Sequence, residues 1–284
     1  MASPDTHKKR ERLRASVEGI LKVSTIPATL QRVFEVIEDD RSAMDDLVEV
    51  IERDPPLAGR IVGVANSAFY GMGRKVKNLP NAAVILGFNM IRNLAVSVSV
   101  FSSLTDEHGR LLKGLWRHSF KVALSASLIA ERTGLAKKED AFLAGLINDL
   151  GRVILYQLFR DEYMKVSEGG GAGIQQREEE AFGAPHTAVG AWFVDRYKFP
   201  RECVMSINFH HEPERCLSGG ALARTHLVPL VYLAGFIVSE GKSGFEFDFS
   251  PSPSHAEIIS SVCMDDAGLA GIKKTVVEME FHPV

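Results

Sequence analysis

Five side chains are placed where they could do chemistry. His118 lies inside Trp116-Arg117-His118-Ser119, and Asp149 lies inside the apolar run Ala144-Gly145-Leu146-Ile147-Asn148-Asp149-Leu150-Gly151. His186 opens a segment behind Pro185, while His210 and His211 close another just before Pro213. An imidazole or carboxylate set in an apolar helix is costly to bury unless it is paired or bound to a metal. Asp149, flanked by Ile147 and Leu150, would cost several kcal/mol if buried without a partner. Taken singly, each histidine reads as a satisfied core or surface residue; taken together, the five read as one shared site, functional or vestigial.

The elements that must position them are helices. Leu30, Val33, Phe34 and Ile37 repeat at i, i+3, i+4, i+7 behind Pro27, and Met44, Leu47, Val48 and Ile51 do the same behind a Ser42 cap with Asp45 three residues on. A third helix starts at Pro55-Pro56, a fourth near Pro80 ends at Gly87, and Ile91, Leu94, Val98 and Phe101 mark a fifth. Polar Thr105 to Arg110 forms a boundary. Long helices resume at about 111–132, 138–158, 175–182, 186–197, 200–211 and 221–239. We therefore expect an all-α protein in which an N-terminal helical subdomain, residues 1–105, packs on a second helical subdomain, 106–245. The apolar face of Leu94, Val98 and Phe101 runs directly into their boundary. Residues 246–284 read as a linker and a short helical tail: the alternating Phe245-Glu246-Phe247-Asp248-Phe249 stands alone, and Ser254 with Glu257 makes a capping box.

Composition narrows the function. The chain has 284 residues, 45% hydrophobic and 24% charged, with a net charge of -3, a pI near 6.3 and a mean hydropathy of +0.01. These are values of a globular protein with no global attraction to nucleic acid or anionic membrane. The apolar stretches 94–104 and 227–238 fall short of the ~20 residues needed to span a bilayer. No apolar segment with a small-residue cleavage site follows the basic Lys8 to Arg14 stretch, so the cytoplasm is the expected location. Cys203, Cys216 and Cys263 are odd in number and widely spaced; they suit buried free thiols rather than disulfides or a cysteine zinc site. Glu178-Glu179-Glu180 reads as a solvated helix start, Trp116 and Trp192 as core, and the cluster Arg74, Lys75 and Lys77 as solvated surface.

The run Ala141 to Gly151 resembles the core motif of HD-type metal-dependent phosphohydrolases, with Asn148 in place of the motif histidine. Glu180-Ala181-Phe182-Gly183-Ala184-Pro185-His186, Val189-Gly190, Lys198-Phe199-Pro200 and His210-His211-Glu212-Pro213 are similar to the HDOD family, an HD-related output domain of bacterial signalling proteins. Asn66-Ser67-Ala68-Phe69-Tyr70-Gly71 and Ala82 to Phe88 resemble the same family's N-terminal signature. The resemblance spans about residues 20 to 240 and makes the second subdomain HD-like. It implies that His118 and Asp149 match two ligands of the first metal of active HD enzymes, while Asn148 and Gly235 stand where the other two are expected. It further implies that Asp149, His186, His210 and His211 match the second-metal set of the related HD-GYP phosphodiesterases, a set suited to one divalent zinc, iron, manganese or nickel ion. The Gly-Tyr-Pro of that motif is replaced by Cys216-Leu217-Ser218-Gly219-Gly220, and Arg152 replaces a lysine.

Two-metal phosphodiester hydrolysis needs ions about 4 Å apart, and a site without ligands at Asn148 and Gly235 should not hold them. The expectation is therefore a noncatalytic signalling module that binds a protein partner or a small ligand. A metal-dependent phosphohydrolase acting on a nucleotide or cyclic dinucleotide is the competing reading.

Overall fold

The computed structural model describes residues 4–19, 28–39, 41–66, 76–102, 109–168, 173–216, 225–239 and 251–278. Among them every regular element is helical and no strand occurs. The Asn66-to-Gly71 signature beyond Asn66, the segment 217–220 and the alternating 245–249 stretch lie outside the described residues.

The chain divides into two compact units, 21–109 with 282–284, and 1–20 with 110–281. The smaller contains α2 (Ala28–Glu38), α3 (Met44–Glu52), α4 (Pro55–Ala65), α5 (Leu79–Leu86) and α6 (Phe88–Ser102). Local chemistry sets their ends. Asp54 caps α4 by accepting from the Leu57 amide at 3.0 Å, and Asn78 caps α5 by accepting from Asn81 at 3.0 Å. Prolines occupy the first turn of both helices. α3 starts one residue later than its Ser42 cap predicts: the Ala43 amide donates to Asp46 at 2.8 Å, so Asp46, not Asp45, turns back on the cap. Leu47, Ile51, Ile61, Ile91 and Leu94 are fully buried and form the core of this unit. Asn66 closes the end of α4, its amide donating to the Val76 carbonyl at 2.8 Å and its oxygen accepting from the Val76 amide at 2.7 Å.

The larger unit contains α1 (Pro4–Glu18), α7 (Gly109–Thr133), α8 (Lys138–Ile147), α9 (Leu150–Ser167), α10 (Ile174–Phe182), α11 (His186–Arg196), α12 (Arg201–Phe209), a 3-10 turn at Pro213–Cys216, α13 (Leu227–Ser239), α14 (His255–Ser261) and α15 (Asp266–Glu278). α1 corrects the expected grouping of residues 1–105. It packs on α10 and α11, with the guanidinium groups of Arg10 and Arg14 over the Trp192 ring at 5.2 and 5.7 Å. Lys9 donates to the Glu180 carbonyl at 3.3 Å. Gly183, at φ 90°, makes this approach possible, since a Cβ there would stand 2.6 Å from the Arg10 amide nitrogen. Trp192 is thus half-buried under cations rather than part of the core.

The C-terminal helices are equally integral. α14 and α15 pack on α13; Tyr232 accepts from the Ser252 amide at 2.9 Å and pairs with His255 Nδ1 at 2.8 Å, while Ser252 donates to Glu214 at 2.8 Å. Arg132 at the end of α7 donates to the Gly268 carbonyl at 2.9 Å.

α8 and α9, expected as one helix over 138–158, are separate: Asp149 leaves helical geometry at φ -100°, ψ 14°. The span Lys138–Ser167 is long and apolar enough to cross a membrane, yet 83% of its apolar window is buried inside the unit. Of the thiols, Cys203 is buried but Cys263 is exposed, at a left-handed φ of 54°, so the expectation of buried thiols fails for Cys263.

Candidate metal centre

Four elements deliver the five candidate residues to one place. His118 projects from the middle of α7, Asp149 from the break between α8 and α9, His186 from the first position of α11, and His210 and His211 from the end of α12. Close helix crossing permits the meeting. A Cβ on Gly151 would collide with the His186 carbonyl oxygen and stand 2.7 Å from the Gly190 amide nitrogen, so only glycine lets α9 lie this near α11.

One donor atom from each of Asp149, His186, His210 and His211 falls within 4.8 Å of the others. Asp149 Oδ1 is 3.6 Å from His186 Nε2, and its Oδ2 is 3.6 Å from His118 Nε2. Ring centroids of His210 and His211 are 4.2 Å apart, and that of His186 is 5.7 and 5.2 Å from them. His186 and His210 are 1% exposed, His118 4% and Asp149 5%; His211 is half-buried. The structure thus brings all five together, with His118 at the second carboxylate oxygen of Asp149 and outside the group of four donors.

The tautomers are fixed from behind. Glu178, fully buried, accepts from the His186 backbone amide at 2.8 Å and contacts its ring Nδ1 at 2.6 Å through Oε2, while Oε1 accepts from the Tyr163 hydroxyl at 3.1 Å. With Glu178 an acceptor on both oxygens, the His186 proton sits on Nδ1 and Nε2 carries a lone pair toward Asp149. His210 Nδ1 lies 2.7 Å from the Ile207 carbonyl, which can only accept, so Nε2 of His210 is also bare. Both Nε2 atoms are buried without a hydrogen-bond partner. Two bare imidazole nitrogens beside a carboxylate form a set that a divalent ion satisfies, and an outer carboxylate on a ligating histidine is the usual support for one. The residues fit a metal.

Electrostatics agree. Burial pushes the Asp149 carboxyl up, but Arg152, His186, His118 and His210 outweigh it and hold the group well below the usual carboxylate range. Burial lowers His210 to about 4, and it lowers His211 as well, with His210 adding to the effect. Burial thus favours neutral rings at His210 and His211 beside the Asp149 carboxylate. Arg152 donates to Tyr163 at 3.1 Å; burial disfavours its charge, and Tyr163, Asp149 and Glu178 more than offset that penalty.

Asn148 is buried and its amide donates to Asp149 Oδ2 at 3.4 Å, with its own carbonyl oxygen left without a hydrogen-bond partner. It offers one weak neutral oxygen in place of an imidazole. Gly235, inside α13, offers no side chain. Glu178 is a further correction: it is a buried support of the site, not part of a solvated run. Its signal is the stripe Ile174, Glu178, Phe182 at i, i+4, i+8, the buried face of α10, which the neighbouring exposed glutamates obscure.

This helical arrangement has known counterparts. A candidate phosphohydrolase from Shewanella amazonensis superposes with a TM-score of 0.64 at 22% identity, covering 94% of both chains. An HDOD domain protein of unknown function from Geobacter sulfurreducens gives 0.59 at 24% identity over 96% of this chain and 99% of its own. A candidate signal transduction protein from Marinobacter aquaeolei gives 0.61 at 22% identity, over 96% and 63%. At these identities the likeness is one of fold. An uncharacterized protein of Treponema pallidum is 26% identical over 213 residues, 70% of this chain but 40% of that protein, so this chain spans about two fifths of that relative. The HDOD domain model matches residues 23–213, well over half of the chain, and the protein belongs to the HDOD family.

Proposed function

We propose that the protein is a noncatalytic bacterial signalling module that binds a protein partner or small ligand in the cytoplasm, and that its HD-like unit holds a single divalent transition metal as an internal staple. The observation that carries this reading is the asymmetry of the centre. Donors for one ion converge within 4.8 Å, whereas at the positions where the family resemblance expects ligands for another, Asn148 offers one neutral oxygen and Gly235 no side chain. A lone ion can fix the α8–α9 break, α11 and the end of α12 to one another, but it lacks the neighbour that would share the charge developing on a phosphodiester. The depth of the centre suits a staple, since Asp149, His186 and His210 are no more than 5% exposed. The likeness in fold of this chain to a candidate signal transduction protein is in keeping with the reading.

A reduced phosphohydrolase is the second reading, favoured by the intact group of Asp149, His186, His210 and His211. Incubation with a panel of nucleotides and cyclic dinucleotides, with manganese, iron or nickel added, separates the two. No turnover is expected; metal-dependent cleavage that disappears in Asp149→Ala overturns the proposal.

A further inference from the structure

The smaller unit carries a surface feature unrelated to the metal centre. α3 and α5 flank a groove of about 330 Å³, whose apolar lining is Met44, Val48, Pro80, Ala83 and Val84. Val48 and Ala83 are buried and form its floor, while Val84 is 87% exposed and Ile85, next to it, 38%. These two are the only large hydrophobic side chains exposed among the described residues. An aliphatic side chain this exposed on a capped, well-formed helix contributes nothing to its own fold; Asn78 and Pro80 already secure the start of α5.

The rim is of one sign. Asp45, Glu49 and Glu52 line the groove, and no basic residue does. Arg53 lies beyond it and pairs with Glu49. Asp46, on the same helix, is occupied by the Ala43 amide and Glu49 by Arg53, which leaves Asp45 and Glu52 as the groove-facing acids without an ion pair among the described residues.

We infer that this groove docks a basic amphipathic helix of a partner protein, with apolar side chains of the partner seated against Val48, Ala83 and Val84 and its lysines or arginines facing Asp45, Glu49 and Glu52. Charge complementarity selects this occupant. An apolar floor under an acidic rim rewards a segment that is apolar on one face and cationic at its edges. It repels an acidic segment, an anionic lipid surface and the phosphates of nucleic acid. A second copy of the chain would have to bring the same acidic rim against itself, which is unfavourable across a two-fold contact. The inference deepens the proposed signalling role by naming the chemistry of its partner, and its test involves no metal and no hydrolysis, so either reading can fail without the other.

The test uses the full chain and a fluorescein-labelled helical peptide with leucines at i, i+4 and i+7 flanked by lysines. An otherwise identical peptide with glutamates for the lysines serves as control. Fluorescence anisotropy should show saturable binding of the basic peptide that weakens as salt rises, and no binding of the acidic one. Val84→Ser, an exposed change that leaves the fold intact by circular dichroism, should weaken binding about tenfold or more, as loss of an apolar anchor does. Asp45→Lys combined with Glu52→Lys should reverse the preference between the peptides, an outcome that a merely structural role for these acids would not produce. Failure of the basic peptide to bind, equal binding of both peptides, or unchanged affinity in Val84→Ser overturns the inference. So does self-association in sedimentation experiments that Val84→Ser abolishes, because the groove would then belong to a second copy.

Discussion

Glu178 grips His186 at two points with one oxygen, the backbone amide at 2.8 Å and ring Nδ1 at 2.6 Å. The grip orients both the first turn of α11 and the imidazole it carries, so the Nε2 lone pair of His186 faces Asp149. Removing such a support costs roughly 10–100-fold in metal affinity in known centres. Glu178→Ala should do so here, measured by competition with a chromogenic chelator, while Glu178→Gln, which keeps an acceptor oxygen, should retain part of the affinity. Equal affinity in all three proteins would remove Glu178 from the centre.

The ligand set itself is open to a direct measurement. Protein purified without chelator or a metal-affinity tag should carry a divalent transition metal by elemental analysis, and His210→Ala combined with His211→Ala should lose it. A metal present at about 100 times its dissociation constant stabilises the fold by ~2.7 kcal/mol, so the wild type should also melt at a lower temperature after chelation and the variant should not respond. Equal metal content in the two proteins would exclude these histidines as ligands.

Gly151 sets the distance between α9 and α11. Gly151→Ala must push the His186 carbonyl and the Gly190 amide away, and overpacking of this kind costs about 1–3 kcal/mol. Urea denaturation should register that loss, accompanied by reduced metal content because Asp149 and His186 move apart. Unchanged stability would mean that the crossing is looser than described.

Thiol chemistry gives an independent check on packing. Burial, with Asp140 and Glu202 adding to it, raises the Cys203 thiol to about 12, which leaves almost no thiolate at neutral pH, and the side chain is fully enclosed. Cys263 is exposed. Iodoacetamide at pH 8 followed by peptide mass mapping should modify Cys263 within minutes and spare Cys203 until denaturant is added. Rapid labelling of Cys203 in the native protein would contradict the packing of α12.

The helices were legible from their periodicity and their local punctuation, as Pro55-Pro56 and Pro80 with Gly87 illustrate, whereas the caps read at Ser42 and Ser254 do not form: α3 is closed by Ala43 and Asp46, and the Ser254 side chain caps nothing. The convergence of His118, Asp149, His186, His210 and His211 could be anticipated from the cost of burying them and from the family resemblance. What escaped the sequence was tertiary in origin. Glu178 hides between exposed acids, and its burial depends on Tyr163 and His186, fifteen residues behind it and eight ahead. α1 reads as the start of the first unit, since its attraction to Trp192 acts between residues far apart in sequence. The break falls at Asn148 and Asp149, neither of them a glycine or proline, so nothing local marks it.

The wrapping of α1 onto α10 and α11 also orders events during synthesis. Apart from residues 282–284 the smaller unit is one continuous stretch, interposed in sequence between α1 and the rest of the larger unit, so its helices can fold while the ribosome is still producing α7. α1 must wait for Trp192, 182 residues after Arg10, a delay of roughly 10 to 40 s at the usual elongation rate of about 5–20 residues per second. Until then its face toward Gly183 and Trp192 has nothing to close on, and this basic helix stays undocked.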